Sequence, residues 1–349
     1  MMNGKSTEER WWSENMGYVI GVDIGGTWIR IALASKDGSI TKRYTMSTPR
    51  EGDRYTIANT IAEIIWNRFS GYVQDIEAIG IGTAGPLDLP KGTVIGAPNI
   101  PIHVFELGKP LIEEFKKPVI VANDCIAAVW GEKLFGLGRD KSNIVYITLS
   151  TGIGGGIIVN DILLLGKMGN AHEVGHMVID VEGRMECGCG GRGHWEAYAG
   201  GANIPRFASN IIRDSELDVE EKGSPIYRAF IEQKLTSEMI YREASKGDKL
   251  ALKIVNEINK YNIAGFENVI NAYDPEIVTV GGAIALKNPQ TLVVEPIRRG
   301  IENSKGVVTH RPRIELTSLG EDIVLIGAVA LAVNPPRNLI SMLKYLEQL

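Results

Sequence analysis

YVIGVDIGGTWIRIALASKDGSI, residues 18–40, decides how this chain folds. Apolar residues fill two runs, 18–22 and 28–34, separated by Gly25-Gly26 and closed by a turn at Asp37-Gly38. Short apolar runs bounded by glycine read as strands, so the stretch predicts a β-hairpin. A dinucleotide-binding fingerprint would need a helix directly after its glycines, and a Walker loop would need Gly-Lys-Ser/Thr; neither follows here. The backbone N–H groups of a Gly-Gly-Thr turn can cradle a phosphate, and Asp23 at the strand end can hold Mg²⁺ through water. Taken alone, Asp23–Thr27 serves equally well as an ordinary hairpin turn.

The same logic returns at IVYITLSTGIGGGIIVN, residues 144–160. An apolar strand meets a glycine-rich turn carrying Ser150, Thr151, Gly152 and Gly154, and a second apolar strand follows. Two similar subdomains are therefore expected, each with a hairpin able to hold phosphate. A third glycine pair, Gly281-Gly282, follows a strand at 277–280. VIVANDCIAAVWGEKLFG, residues 119–136, sets Asn123 and Asp124 between a strand and a helix. A carboxylate there faces the crevice outside the strand ends of an open α/β sheet; the plainer reading is a helix cap. Helical spacing marks 56–69, 110–115, 197–209, 224–234, 236–245 and 323–333, and also 250–271 as one helix or two joined near Gly265. Strands are expected at 76–81 and 314–316, with a turn-rich segment at 82–100 ending near Asn99.

HEVGHMVIDVEGRMECGCGGRGHWE, residues 172–196, concentrates soft metal ligands. His176, Cys187, Cys189 and His194 fall within nineteen residues, bracketed by Glu173 and Glu196. Four Cys and His ligands complete a closed tetrahedral zinc site, and the interspersed glycines let a short loop fold around the ion. The spacing is not that of a zinc finger, which points to a metal-stapled loop inside a larger domain.

Composition narrows the class. With 349 residues, 44% of them hydrophobic, the chain is long enough for two domains. A formal net charge of -5 offers no basic field for nucleic acid. No apolar run is long enough to cross a membrane, and the polar first residues lack a signal peptide's apolar segment. Only three cysteines, two of them one residue apart, argue against disulfides and for the cytoplasm. Residues 1–16, with Trp11 and Trp12, read as an extension too short for a helix-turn-helix domain.

Two phosphate-holding hairpins, a crevice aspartate and a metal-organised loop presenting carboxylates suit phosphoryl transfer to a sugar. That chemistry needs phosphates held by backbone N–H groups and Mg²⁺, and a base that orients the attacking hydroxyl. Asp124 suits the base. Asn99, Asn123, Glu173, His176 and Glu196 suit the ring hydroxyls.

In DIGGTWIR (23–30), GTAGPLD (82–88), APNI (97–100), NDCIAA (123–128), STGIGGGI (150–157), EVGH (173–176), CGCGGRGHWE (187–196) and TVGGAI (279–284), the chain resembles the ROK family of sugar kinases and repressors, in its glucokinase-like branch. The resemblance implies an α/β, two-domain actin-like ATPase fold of the ribonuclease H-like, hexokinase type, with a nucleotide- and sugar-binding cleft. The expected small domain covers 17–130 plus a helix at about 320–340; the large one covers 131–319 and contains the zinc loop 176–194. Asp124 is then the catalytic base, and Asn99, Asn123, Glu173, His176 and Glu196 bind the sugar. Asp23, Gly25, Gly26 and Thr27 in one hairpin, and Ser150, Thr151, Gly152 and Gly154 in the other, hold the phosphates of ATP, with Gly281-Gly282 near the adenosine. The family's zinc site carries one histidine and three cysteines; here His194 stands in the last cysteine's place. The expected activity is phosphorylation of the 6-hydroxyl of glucose, extending in a broad hexokinase to mannose, fructose or glucosamine. N-acetylglucosamine or N-acetylmannosamine kinases and a non-catalytic sugar-responsive regulator are the alternatives. A homodimer or homotetramer is a family expectation.

Overall fold

The computed structural model describes residues 17–97 and 99–349. The tryptophan-bearing extension expected over residues 1–16 lies outside them. In chain order come strands β1 (Tyr18–Ile24), β2 (Trp28–Ser35) and β3 (Ile40–Ser47), helix α1 (Thr56–Arg68) and β4 (Ile76–Thr83). Three short strands, β5 (Leu87–Asp88), β6 (Thr93–Ile95) and β7 (Val104–Glu106), precede α2 (Gly108–Phe115), β8 (Val119–Asn123) and α3 (Asp124–Phe135). Next are β9 (Ile144–Leu149), β10 (Ile153–Val159) and β11 (Ile162–Leu163). Six helices follow: α4 (Trp195–Ala199), α5 (Ile204–Asp214), α6 (Val219–Gly223), α7 (Pro225–Ile231), α8 (Ser237–Ser245) and α9 (Lys249–Tyr273). The chain continues through β12 (Ile277–Gly281), α10 (Ala283–Lys287), α11 (Val294–Asn303), β13 (Arg313–Leu316), α12 (Ile323–Val333) and α13 (Arg337–Ile340).

The chain divides into two compact units. The first holds the described residues up to 140 together with Asn160–His172 and Asp322–Leu349; the second holds Lys141–Val159 and Glu173–Glu321. Residues 131–140 and 160–172 thus count with the first unit rather than the second, where the sequence reading set them. The tail past residue 340 belongs there too, because the Tyr345 hydroxyl bonds the Val121 N–H and the Val119 carbonyl of β8.

In the first unit the sheet order is β3-β2-β1-β4-β8. β1 and β2 form the expected antiparallel hairpin, and β4 and β8 add parallel strands. Helix α12 is apolar on nearly every side and buried along most of its length, as a helix enclosed by protein must be. Glycines let it approach closely: a Cβ at Gly80 would run into the Ala328 carbonyl, and one at Gly327 into the Ala127 carbonyl. Among the elements that the sequence reading does not anticipate are β3 and the strands β5, β6 and β7. β3 is a largely exposed edge strand, and β5-β6-β7 form a small antiparallel sheet within the turn-rich 82–100 region and just beyond it.

Strands of the second unit run β10-β9-β12-β13, repeating the plan of a hairpin extended by two parallel strands. Helix α9 is continuous through Gly265, capped by Asp248, whose side chain accepts the Ala251 N–H at 2.9 Å. Gly265 is needed because the Trp195 indole occupies the space a Cβ would take. The helix expected at 197–209 is broken into α4 and α5. Between them the Gly201 and Ala202 N–H groups donate to the Ser150 and Thr151 carbonyls at 2.8 and 2.9 Å, a demand that local helical spacing does not reveal.

Candidate functional site

Strand register brings the first group of predicted residues together. Asp23 pairs with Gly82, and Gly82 with Ala122, the residue before Asn123. The ends of β1, β4 and β8 therefore align at the carboxyl edge, where open α/β sheets bind ligands. Asn123 is also a helix cap: its Oδ1 accepts the Cys125 N–H at 2.8 Å. Asp124, the first residue of α3, accepts the same N–H at 2.8 Å. Burial pushes the Asp124 carboxyl above the ordinary carboxylate range, against the pull of that hydrogen bond.

Asp23 is raised as well, to about 7. Burial is the main cause; the Arg30 guanidinium, 3.3 Å away, opposes it, while Asp124 and Asp322 add repulsion. Asp322, which precedes α12 and pairs with Arg43 at 2.8 Å, was not singled out in the sequence. Its only local signal is an acid ahead of an apolar helix. In the glycine turn, the Gly25 N–H donates to the Trp28 carbonyl at 2.9 Å. Thr48 braces the turn through its hydroxyl to the Gly25 carbonyl at 2.7 Å and its N–H to the Thr27 carbonyl at 3.0 Å. Gly26 lies directly against the backbone of Asn99, whose side chain is exposed.

In the second unit the turn between β9 and β10 is Ser150–Gly152, closed by the Ser150 N–H on the Gly152 carbonyl at 3.0 Å. Gly154, expected in this turn, lies within β10 opposite Thr148. Gly282, at φ +86, packs where a Cβ would strike the Leu149 carbonyl and the Thr148 hydroxyl. The Ser150–Thr151 turn, Gly281-Gly282 and the unanticipated pair Gly200-Gly201 thus gather at the ends of β9 and β12. The Ser237 hydroxyl secures the last pair by donating to the Gly201 carbonyl.

The cysteine loop assembles as its spacing suggests. One ligand atom from each of His176, Cys187, Cys189 and His194 lies within 4.8 Å of all the others. Zinc–sulfur and zinc–nitrogen bond lengths imply tetrahedral edges of about 3.3–3.8 Å, so the four atoms would draw together by up to about 1 Å to hold such an ion. His194 Nδ1 is 3.4 Å from Cys189 Sγ, and His176 Nδ1 is 3.9 Å from Cys187 Sγ. His176 Nε2 faces the other way, 3.6 Å from Glu173 Oε2. Burial, then His176, hold His194 below the usual histidine range, in the neutral form a metal needs. Burial pushes the Cys187 thiol up to about 12, with Glu196 adding to it, so a thiolate here calls for a cation. Glu196, on α4, accepts the Ile153 N–H at 2.8 Å and lies 3.5 Å from Cys187 Sγ. α4 itself is pinned by Trp195, whose indole N–H donates to Asn262 Oδ1 at 3.0 Å.

Residues 19–334 match the model of the ROK family. The chain is 40% identical over 324 residues to the glucokinase of Pyrobaculum calidifontis, covering 93% of this chain and 98% of that one. Among solved structures, it resembles a ROK family glucokinase from Streptomyces griseus in complex with glucose and AMPPNP, with a TM-score of 0.72 and 31% identity over 90% of this chain and 99% of that one. A ROK hexokinase from Thermus thermophilus is similar, with a TM-score of 0.73 and 30% identity over 90% and 97%. These likenesses show the fold: mixed α/β with open sheets, of the hexokinase-like actin type, as the sequence implies.

Proposed function

This chain belongs to the ROK family, and we propose that it is an ATP-dependent glucokinase acting on the 6-hydroxyl of glucose. The observation that carries the reading is the alignment of Asp23 and Asn123-Asp124 at one sheet edge. Asp124 is the general base. Its raised affinity for a proton suits it to take the hydroxyl proton as the oxygen attacks phosphorus. Asn99, Asn123, Glu173, His176 and Glu196 hold the ring hydroxyls, each of which would leave an unpaired polar group if missed. The turns at Gly25–Thr27 and Ser150–Gly152 hold the phosphates, and Gly281-Gly282 gives the adenosine a close backbone approach.

Asp23, crowded by Asp124 and Asp322, contributes to a hard-oxygen donor set that suits Mg²⁺ held through water. Bound there, Mg²⁺ would neutralise phosphate charge. His176, Cys187, Cys189 and His194 would hold zinc in a structural role. With Nδ1 on the metal side, His176 would keep Nε2 aimed at the sugar beside Glu173. The reading extends to a homodimer or homotetramer, on the family resemblance alone, and to a cytoplasmic protein without nucleic-acid partners. Among the described residues every cysteine is free, and no helix is long and apolar enough to cross a membrane.

The test is ADP release with Mg·ATP against glucose, mannose, fructose, N-acetylglucosamine and N-acetylmannosamine. Glucose turnover above the N-acetylated sugars supports the proposal. Turnover confined to an N-acetylated sugar moves the specificity, and none with any sugar points to a regulatory protein.

A further inference from the structure

The loop that carries the cysteines has a second fastening that contains no metal ligand. The Asp180 side chain is only 4% exposed. Its carboxylate accepts the N–H groups of Glu182 and Arg184 at 3.3 and 3.1 Å and the Arg184 Nε and Nη2 at 3.0 and 3.1 Å. A further bond comes from the Tyr198 hydroxyl. That hydroxyl in turn accepts the Met185 N–H at 3.1 Å. Met185 stands two residues before Cys187, and Tyr198 four residues after His194, so the fastening grips the loop on both sides of its cysteines.

Backbone bonds reinforce it. The Ile179 and Asp180 N–H groups both donate to the Gly193 carbonyl, at 2.9 and 3.1 Å, and the Gly193 N–H donates to the Met185 carbonyl at 2.9 Å. Gly193 is at φ +72, and a Cβ there would meet the Asp180 carbonyl. The Tyr198 ring is oriented independently of its hydroxyl, stacked on Tyr261 at 4.0 Å and edge-on to Phe207 at 5.1 Å.

We infer that Asp180 and Tyr198 are positioning residues that hold the cysteine loop in its metal-binding form before the metal arrives, and so set its zinc affinity. A loop already closed loses little conformational freedom when the ion binds, whereas a loose one must be ordered then. The inference rests on reading the cluster as a zinc site. Arg184 is mostly exposed, so its charge is screened and the tyrosine is the decisive member.

The experiment is a zinc-affinity measurement by competition with a chromophoric chelator on the full chain. Tyr198→Phe keeps the ring and removes the hydroxyl; Asp180→Asn is the second variant, should the first fail to fold. Tyr261→Phe takes a hydroxyl from the same stack and leaves the hydrogen bonds of Asp180 and Tyr198 in place. Zinc binding weaker by about 10–100-fold in Y198F and D180N, the range typical when a ligand's support is lost, with Y261F like the wild type, supports the inference. Wild-type affinity in Y198F and D180N overturns it, as does equal weakening in Y261F, which would mark general loosening. A wild-type protein that takes up no zinc overturns the metal reading itself, and the inference with it.

Discussion

Glu196 Oε2 accepts the Ile153 N–H at 2.8 Å, which ties the helix after the cysteine loop to the strand after the Ser150–Gly152 turn. A single carboxylate thereby connects the proposed sugar-binding and phosphate-binding parts of the second unit. Glu196→Gln keeps an acceptor for that N–H and removes the charge. The KM for glucose should rise about 10–100-fold, the scale of a hydrogen bond to a charged group, with a smaller change in kcat. Glu196→Ala should also destabilise the fold by about 1–3 kcal/mol, because Ile153 loses its partner. Steady-state kinetics and thermal melts measure both; an unchanged KM in E196Q removes Glu196 from the sugar site.

Gly25 and Gly26 are neighbours in one turn with unequal freedom. A Cβ at Gly25 would meet nothing closer than the Trp28 carbonyl at 3.4 Å, an ordinary contact, whereas one at Gly26 would collide with the Asn99 backbone. We therefore expect Gly25→Ala to be tolerated. Gly26→Ala should displace the turn or the Asn99 loop at about 1–3 kcal/mol, weakening nucleotide and glucose binding together. Calorimetric titration of each ligand into both variants checks this; similar behaviour of the two would contradict it.

Asp23 makes a pH prediction with a definite sign. Its folded-state value of about 7 lies above the ordinary 3.8. Between those values the folded protein keeps a proton that the unfolded chain has released. The contribution of this carboxyl to stability is therefore complete below about pH 4 and lost as pH rises through about 7. Asp23→Asn should remove that slope, so its stability gains on the wild type from pH 4 to pH 8 by on the order of a few kcal/mol, read as a growing difference in melting temperature. Parallel melting curves across this range would refute it.

Much of this architecture is legible locally. The runs around Gly25-Gly26 and Ser150–Gly152 are apolar and bounded by glycine, and 323–333 is apolar on nearly every face, so each declares its element without help from the rest of the chain. What stays hidden is set by distant partners. The 197–209 segment keeps helical spacing, yet it breaks at Gly200-Gly201 so that the Gly201 and Ala202 N–H groups reach the Ser150 and Thr151 carbonyls. β3, Ile40–Ser47, is mostly polar and exposed, which leaves no alternation to read. Asp322 and Asp180 look like surface acids until Arg43 and Tyr198 are seen beside them, 279 and 18 residues away. The cysteine loop was readable because its four ligands crowd one short segment, whereas alignment of Asp23 with Asn123-Asp124 depends on parallel strands a hundred residues apart.

The most direct test of the central claim is the kcat of Asp124→Asn with glucose and Mg·ATP. Asparagine preserves the size and hydrogen-bonding shape of the side chain at the start of α3, so folding and glucose affinity should remain. Without a carboxylate to take the hydroxyl proton, kcat should fall by about 10²–10⁴. Turnover near the wild-type rate in a folded, glucose-binding D124N protein would contradict the assignment of Asp124 as the base.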